Sequence, residues 1–402
     1  MDEEKRTSAV IFGAGSVGRG FLGQLFCESG HEVVFVDVDE PLVQALGEKG
    51  AYTLRLAGVE STQDITVGPV RAIDGRDLEA VATVVAGAQL AATAVGARAL
   101  PIIARPIAMG LEQRWRSGNE RPLNVIICEN LHDAPELLSG YVREALPEQW
   151  RSRLDALVGF VPAVIARMAP VPTPEQRAAD ITLIVAEPYK VLPVDRDAFV
   201  GRIPQVVGMA PVTPFSAYVE RKLYIHNASH AMLGYLGYRR GWEYGYEALV
   251  DPEVRRRLES AVDESARALV AEHGLDLDEL REHVRDLLNR FGNRALADPI
   301  DRLARDPLRK LAPQDRLVGA ARLAEKHGIA PDGLAWGIAA ALAYDNPADE
   351  HAVELQRRIS DRGVISTLAD VCGISEDESL AEAVLERYEQ LQKASTWQDD
   401  AQ

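Results

Sequence analysis

The stretch AVIFGAGSVGRGF, residues 9–21, decides the fold. An apolar run of strand length ends at Phe12, and Gly13, Gly15 and Gly18 follow at once, where a helical pattern opens. In this context Gly13 allows a tight turn, Gly15 lets the backbone approach a pyrophosphate, and Gly18 permits close packing of helix on strand. The helix start, at Ser16 and Val17, then offers amide donors and the positive end of a helix dipole to phosphates. Asp37 ends the next apolar run, nineteen residues after Gly18. A carboxylate there accepts ribose hydroxyls and repels a 2′-phosphate, which favours NAD over NADP. Asp39 or Glu40 as the reader, or Asp37 as a turn cap, are the alternatives. Arg19 falls in the first helical turn, either flanking the pyrophosphate or on the surface. Val95–Gly96, after a third apolar run, stands where such folds pass the nicotinamide ribose, by analogy of fold alone.

Working outward, SAVIF (8–12), EVVFVD (32–37), QLAATAV (89–95) and NVIIC (124–128) read as strands, with helical patterns between them, notably over 17–29 and 102–117. That rhythm predicts a mainly parallel sheet covered by helices, an α/β Rossmann-type domain over 1–205. LVGFV (157–161) and ITLIVAE (181–187) either complete the sheet or start a linking unit. GRIPQVVGMAPVTPF, 201–215, reads as a linker. Beyond it no strand rhythm appears, so a mostly α-helical domain is expected over 206–402. One of its helices should start at Asp251–Pro252 and stop at Gly274. The tail STWQDDAQ (395–402) is expected to fray.

A net charge of −17 disfavours nucleic acid as a partner, because phosphate backbones need a basic surface, but it leaves room for a small anion in a local basic pocket. No run is apolar long enough to cross a bilayer, and MDEEKRTSAV lacks the apolar core of a signal peptide. Three scattered cysteines, Cys27, Cys128 and Cys372, fit a reducing cytoplasm rather than a disulfide framework.

ERKLYIHNASH, 220–230, supplies the chemistry such a fold needs. Oxidising an alcohol with a nicotinamide requires a base for the hydroxyl proton and donors for the developing alkoxide. Lys222 serves as base if burial and positive neighbours lower its pKa, and Asn227 donates an amide hydrogen. Asn130, at the end of a predicted strand, is a second donor at the carboxyl edge of the sheet, and His230 orients the substrate or steadies the lysine. On a regular helix these three segment residues spread over an arc of about 140°. His226 and His230, four apart, raise a metal reading, but a zinc protease pattern needs a glutamate where Asn227 stands, and no third ligand is evident.

YVERKLYIHNASHAMLGYLG (218–237) closely resembles the catalytic segment of the polyol-specific long-chain dehydrogenase, or mannitol dehydrogenase, family. The family's mark is a Lys, four residues, an Asn, two residues and a His, matched by Lys222, Asn227 and His230. FGAGSVGRGFLG (12–23), GNERPLNVIICEN (118–130), RFGN (290–293) and DPLRKLAPQDRL (306–317) extend the resemblance through nearly the whole chain. It implies a metal-independent NAD enzyme with Lys222 as general acid/base, Asn227 and Asn130 polarising the reacting oxygen, and His230 touching substrate. An arginine and a lysine eight apart line the family's polyol site, and Arg302 and Lys310 match them. The implied reaction interconverts D-mannitol 1-phosphate and D-fructose 6-phosphate. The same chemistry on an unphosphorylated polyol or a sugar acid is the near alternative, and an NAD(H) sensor the distant one. For the phosphate, Arg302, Arg309, Lys310, Lys190 and Arg239–Arg240 are all candidates. Two departures bear on substrate: Ala166 stands where the family usually has an acid, and Leu192 where an aromatic is common. His226 replaces a usually apolar residue and is expected to pack beside the site.

Overall fold

A computed structural model describes residues 7–131 and 133–393; the frayed tail expected at 395–402, and the first six residues of the charged N-terminus, lie outside them. The chain divides into two compact units, Met1–Phe215 and Ser216–Gln402.

The first unit is built on six parallel strands, β1 (Thr7–Phe12), β2 (His31–Asp37), β5 (Val70–Asp74), β6 (Leu90–Thr93), β7 (Leu123–Ile127) and β8 (Val158–Pro162). Their order across the sheet is β5-β2-β1-β6-β7-β8, so the chain reverses its direction of growth between β1 and β6. That reversal is the topological switch point where open α/β sheets bind ligands. Helices cover both faces, which is why the central strands read as unbroken apolar runs rather than alternating ones. Alternate residues of β1 enter opposite cores: Ala9 and Ile11 pack with Phe21, Leu25 and Phe35, whereas Val10 and Phe12 pack with Val85, Ile107 and Ile127.

LVGFV supplies β8 of this sheet. ITLIVAE does not join it: β9 (Ile184–Ala186) pairs with β3 (Tyr52–Ala57), which forms an antiparallel hairpin with β4 (Thr62–Val67). The stretch expected as a linker contains β11 (Met209–Val212), paired in parallel with β10 (Leu192–Asp195), and the compact unit continues to Phe215.

The second unit is helical among its described residues. Its longest helix, Pro252–His273, starts where Asp251 accepts from the amides of Glu253 and Val254 and stops at Gly274 in the left-handed conformation. The helix Ala228–Arg239 is central. A Cβ at its Gly234 would lie 2.7 Å from backbone atoms of Leu303 and Ala304, so this glycine lets the short helix Ile300–Ala304, bearer of Arg302, press against it.

Candidate active site

In the first unit the glycine turn shows the tight turn and the close helix packing that its spacing suggests, and leaves open space at Gly15. Gly13 has φ +95°, and a Cβ there would strike the Ala94 carbonyl oxygen at 2.4 Å. A Cβ at Gly18 would sit 2.0 Å from the Gly13 oxygen, yet one at Gly15 would meet nothing within 4 Å. The turn is therefore closed against its own strands and open at Gly15. The helix begins at Ser16, half-buried like Val17, and the leading amides of a helix have no partner within it. Ser16 Oγ donates to the Pro170 carbonyl at 3.3 Å. This cradle suits a dinucleotide's pyrophosphate.

Arg19 corrects both sequence expectations. It is 3% exposed and turned inward: Nε donates to the Ala14 carbonyl at 2.6 Å and Nη1 to the carbonyls of Thr182 at 2.6 Å and Ile181 at 3.3 Å. It braces the glycine turn from beneath instead of flanking a phosphate or facing water, and burial lowers its pKa. The surrounding Gly18–Leu22 turn is π-helical, and the Tyr52 hydroxyl donates to the Arg19 carbonyl at 2.6 Å.

Asp37 also ties the turn together. Its Oδ2 accepts from the Ala14 amide at 2.6 Å and its Oδ1 from the amides of Val38 and Asp39 at 2.7 and 3.0 Å. The cap and the ribose reader are compatible roles, since the three amides leave one lone pair, on Oδ2, for a ribose hydroxyl. Asp39, the alternative reader, is paired with Arg177, and Glu40 opens the helix Glu40–Lys49.

Val95 is half-buried and Gly96 exposed with φ +82°, in the loop that follows β6. Sequence reasoning missed the residue that anchors this loop. Glu129, just past β7 and 8% exposed, accepts the Thr93 hydroxyl at 2.5 Å and the Val95 amide at 3.0 Å. Its only signal in the sequence was its place beside Asn130, which is exposed at the same edge of the sheet.

In the second unit, regular helix geometry fails where it matters. Lys222–Asn227 is a π-helical turn between the helices Phe215–Arg221 and Ala228–Arg239. A π-turn holds about 4.4 residues, so Lys222 and Asn227, five apart, come within roughly 50° of each other instead of about 140°. His230 falls within roughly 10° of Lys222, and the arc of the three narrows to about 60°. The spacing that looked broad on an α-helix is one face here. π-Turns are rare and concentrate at functional sites.

Against that face lies Phe291. Its ring stacks on His230 with centroids 4.1 Å apart and planes 17° apart, and it meets His226 edge-on at 5.5 Å. The two histidine rings are themselves edge-to-face at 5.1 Å. Burial, then Arg302, Lys310 and Arg290 against the opposing Asp298, push the His230 imidazole down to about 3, so it is neutral at working pH. His226 is 6% exposed, its Nδ1 lacks a hydrogen-bond partner, and burial drives its pKa well below the usual range. It packs, as expected of the residue that replaces an apolar one. Among the described residues no group of three or more His, Cys, Asp or Glu is placed to hold a metal ion.

The buried neutral His226 has a pH signature. The unfolded chain binds a proton there below about pH 6.5 and the folded protein does not, so stability is full above that pH and falls as pH drops. His226→Leu should flatten the slope of unfolding free energy between pH 6.5 and 5 by about 1 kcal/mol per pH unit. Urea titrations of both proteins at several pH values check this, and parallel curves would refute it.

The candidate cations differ in how they are held. Arg302 is exposed, and its Nε and Nη2 pair with the two carboxylate oxygens of Asp298, four residues earlier. Lys310 is 5% exposed, donates to the Leu303 carbonyl and is pushed down to about 7, mainly by burial and then by Arg316 and Arg309. The positive charges of both help to lower the His230 pKa. Elsewhere Lys190 pairs with Glu28, Arg240 with Asp251, Arg309 with Asp306, and Arg239 donates to the Leu391 carbonyl. Of the two departures, Leu192 is fully buried in β10, which makes it a packing residue, and Ala166 is 9% exposed.

The chain matches the family model described as the mannitol dehydrogenase Rossmann domain over residues 7–208 and that of the mannitol dehydrogenase C-terminal domain over 215–396. It is 39% identical over 378 residues to the mannitol-1-phosphate 5-dehydrogenase of Bacillus licheniformis, covering 94% of this chain and 98% of that one. It is 39% identical over 387 residues to the enzyme of the same name from Brevibacillus brevis, covering 96% and 99%. Its fold resembles that of a substrate-free D-sorbitol dehydrogenase, with TM-score 0.81, 17% identity and 97% and 94% coverage. It also resembles Pseudomonas fluorescens mannitol 2-dehydrogenase in a complex with NAD and D-mannitol, with TM-score 0.74, 18% identity and 98% and 94% coverage. With a switch-point glycine turn in one unit, a Lys–Asn–His face in the other and both family models matched in order, the chain belongs to the mannitol dehydrogenase family.

Proposed function

We propose that this protein is an NAD-dependent dehydrogenase that interconverts D-mannitol 1-phosphate and D-fructose 6-phosphate. The observation that carries the reading is the near-complete coverage of relatives named mannitol-1-phosphate 5-dehydrogenase, in a chain whose Lys222, Asn227 and His230 share one helical face. Gly13, Gly15, Ser16, Val17 and Gly18 receive the pyrophosphate, a role supported by the open space above Gly15 and the leading helix amides. Asp37 accepts the ribose hydroxyls, and Val95–Gly96 lie along the nicotinamide ribose. When bound, the nicotinamide supplies the hydride chemistry.

The chain's own residues handle the proton and the developing charge. In the oxidative direction Lys222 Nζ accepts the proton of the reacting hydroxyl, and in the reductive direction it returns one to the ketone oxygen. Asn227 and Asn130 donate amide hydrogens to that oxygen as it becomes an alkoxide. Neutral His230, held flat by Phe291, orients the substrate. Arg302 and Lys310 receive the anionic end, where a phosphate competes with Asp298 for the Arg302 guanidinium. Cys27, Cys128 and Cys372, none of them in a disulfide among the described residues, support a reducing, cytoplasmic setting.

A substrate panel with NADH tests the reading. Fructose 6-phosphate should be reduced with a kcat/KM at least about 100-fold above that for fructose or fructuronate, the size expected when a charged group with built partners is removed. Turnover of fructose or fructuronate with none of fructose 6-phosphate would overturn it in favour of the unphosphorylated alternative.

A further inference from the structure

We propose that Glu129 is a positioning residue for the cofactor: its buried carboxylate fixes the loop after β6, and with it the surface on which the nicotinamide half of NAD rests. The inference rests on the NAD reading above. Three lateral ties stitch together the carboxyl edge of the sheet at the switch point. The Ala94 amide donates to the Phe12 carbonyl at 2.8 Å and the Cys128 amide to the Thr93 carbonyl at 3.1 Å, joining β1, β6 and β7 by backbone. Beyond those bonds the strands end, and Glu129 carries a third tie past them. One of its oxygens takes the buried Thr93 hydroxyl and the other takes the Val95 amide.

Both acceptors being oxygens of one carboxyl group, Glu129 ties the last residue of β6, Thr93, and the loop residue Val95 to a single side chain. Gly96, the next residue, has φ +82° and an open Cβ position, and its carbonyl accepts from the Ala99 amide at 3.0 Å, so the grip on Val95 fixes the loop on the side that leaves the strand. Glu129 also precedes Asn130, so the same carboxylate fixes the root of a proposed oxyanion donor. A carboxylate on this edge that served packing alone would be replaceable by any residue filling the space. One that holds the loop in register should be replaceable only by a group with two acceptor or donor positions at the same reach.

The test is NADH affinity, read by fluorescence without substrate, on the full chain. Glu129→Ala removes both contacts and should weaken NADH binding roughly tenfold. Thr93→Val removes one contact at equal volume and should weaken it by about threefold. Glu129→Gln keeps the reach and both contact positions and should recover most of the loss. In turnover, KM for NADH should rise more than kcat falls. If Glu129→Ala fails to fold, Thr93→Val and Glu129→Gln carry the test, since they preserve volume. Wild-type affinity in a folded Glu129→Ala or Thr93→Val protein overturns the proposal, as does a loss confined to melting temperature. Failure of the wild-type protein itself to bind NADH would instead refute the NAD reading.

Discussion

Lys222→Ala should lower kcat for fructose 6-phosphate reduction by about 10²–10⁴-fold while leaving NADH affinity within twofold of wild type. The range is that of a positioned general acid, and the separation of the two readouts follows from where the residues lie. Lys222 opens the π-turn of the second unit, whereas the glycine turn proposed to receive the pyrophosphate belongs to the first. Lys222 is half-buried at a helix surface, so its truncation leaves no large cavity and the fold should persist. Steady-state kinetics and NADH titration on the same preparation decide the matter. Wild-type turnover would remove the lysine from the mechanism, and lost NADH binding would reassign it to cofactor contact.

The glycine turn makes a prediction of comparable size through contrast. Gly13→Ala combines a left-handed backbone with a Cβ driven into the Ala94 carbonyl, and should cost about 2 kcal/mol or more, lowering the melting temperature by roughly 4–8 °C. Gly15→Ala meets no atom of the protein and should leave the melting temperature unchanged, yet weaken NADH binding by at least about tenfold because the methyl occupies the space proposed for the pyrophosphate. Thermal melts with and without NADH separate the two effects. Equal behaviour of the two variants in both assays would contradict the assignment of separate tasks to these glycines.

Much of this was legible in residues 9–37, because a strand, a glycine turn and a terminal acid are local features with one physical use. Partner choice was less legible. ITLIVAE has strand composition, but whether it extends the main sheet or caps the β3–β4 hairpin depends on contacts with Leu54 and Leu56, more than a hundred residues away. Arg19 looked like a surface or phosphate residue because nothing local announces that the carbonyls of Ala14 and Thr182 will converge on it. The Lys–Asn–His face was the subtlest case. A reading at 100° per residue spreads it widely, and no residue type in KLYIHN signals a π-turn. The family's spacing of five, awkward on an α-helix, makes sense once that turn is seen.

On the proposed reading NADH supplies the hydride and Lys222 the proton that reduce the keto group of fructose 6-phosphate. Reducing fructose 6-phosphate with NADH carrying deuterium at both C4 positions of the nicotinamide, and locating the label in the product, tests it most directly. The prediction is D-mannitol 1-phosphate with one deuterium on C5. Absence of turnover, or a product without that label, would contradict the account.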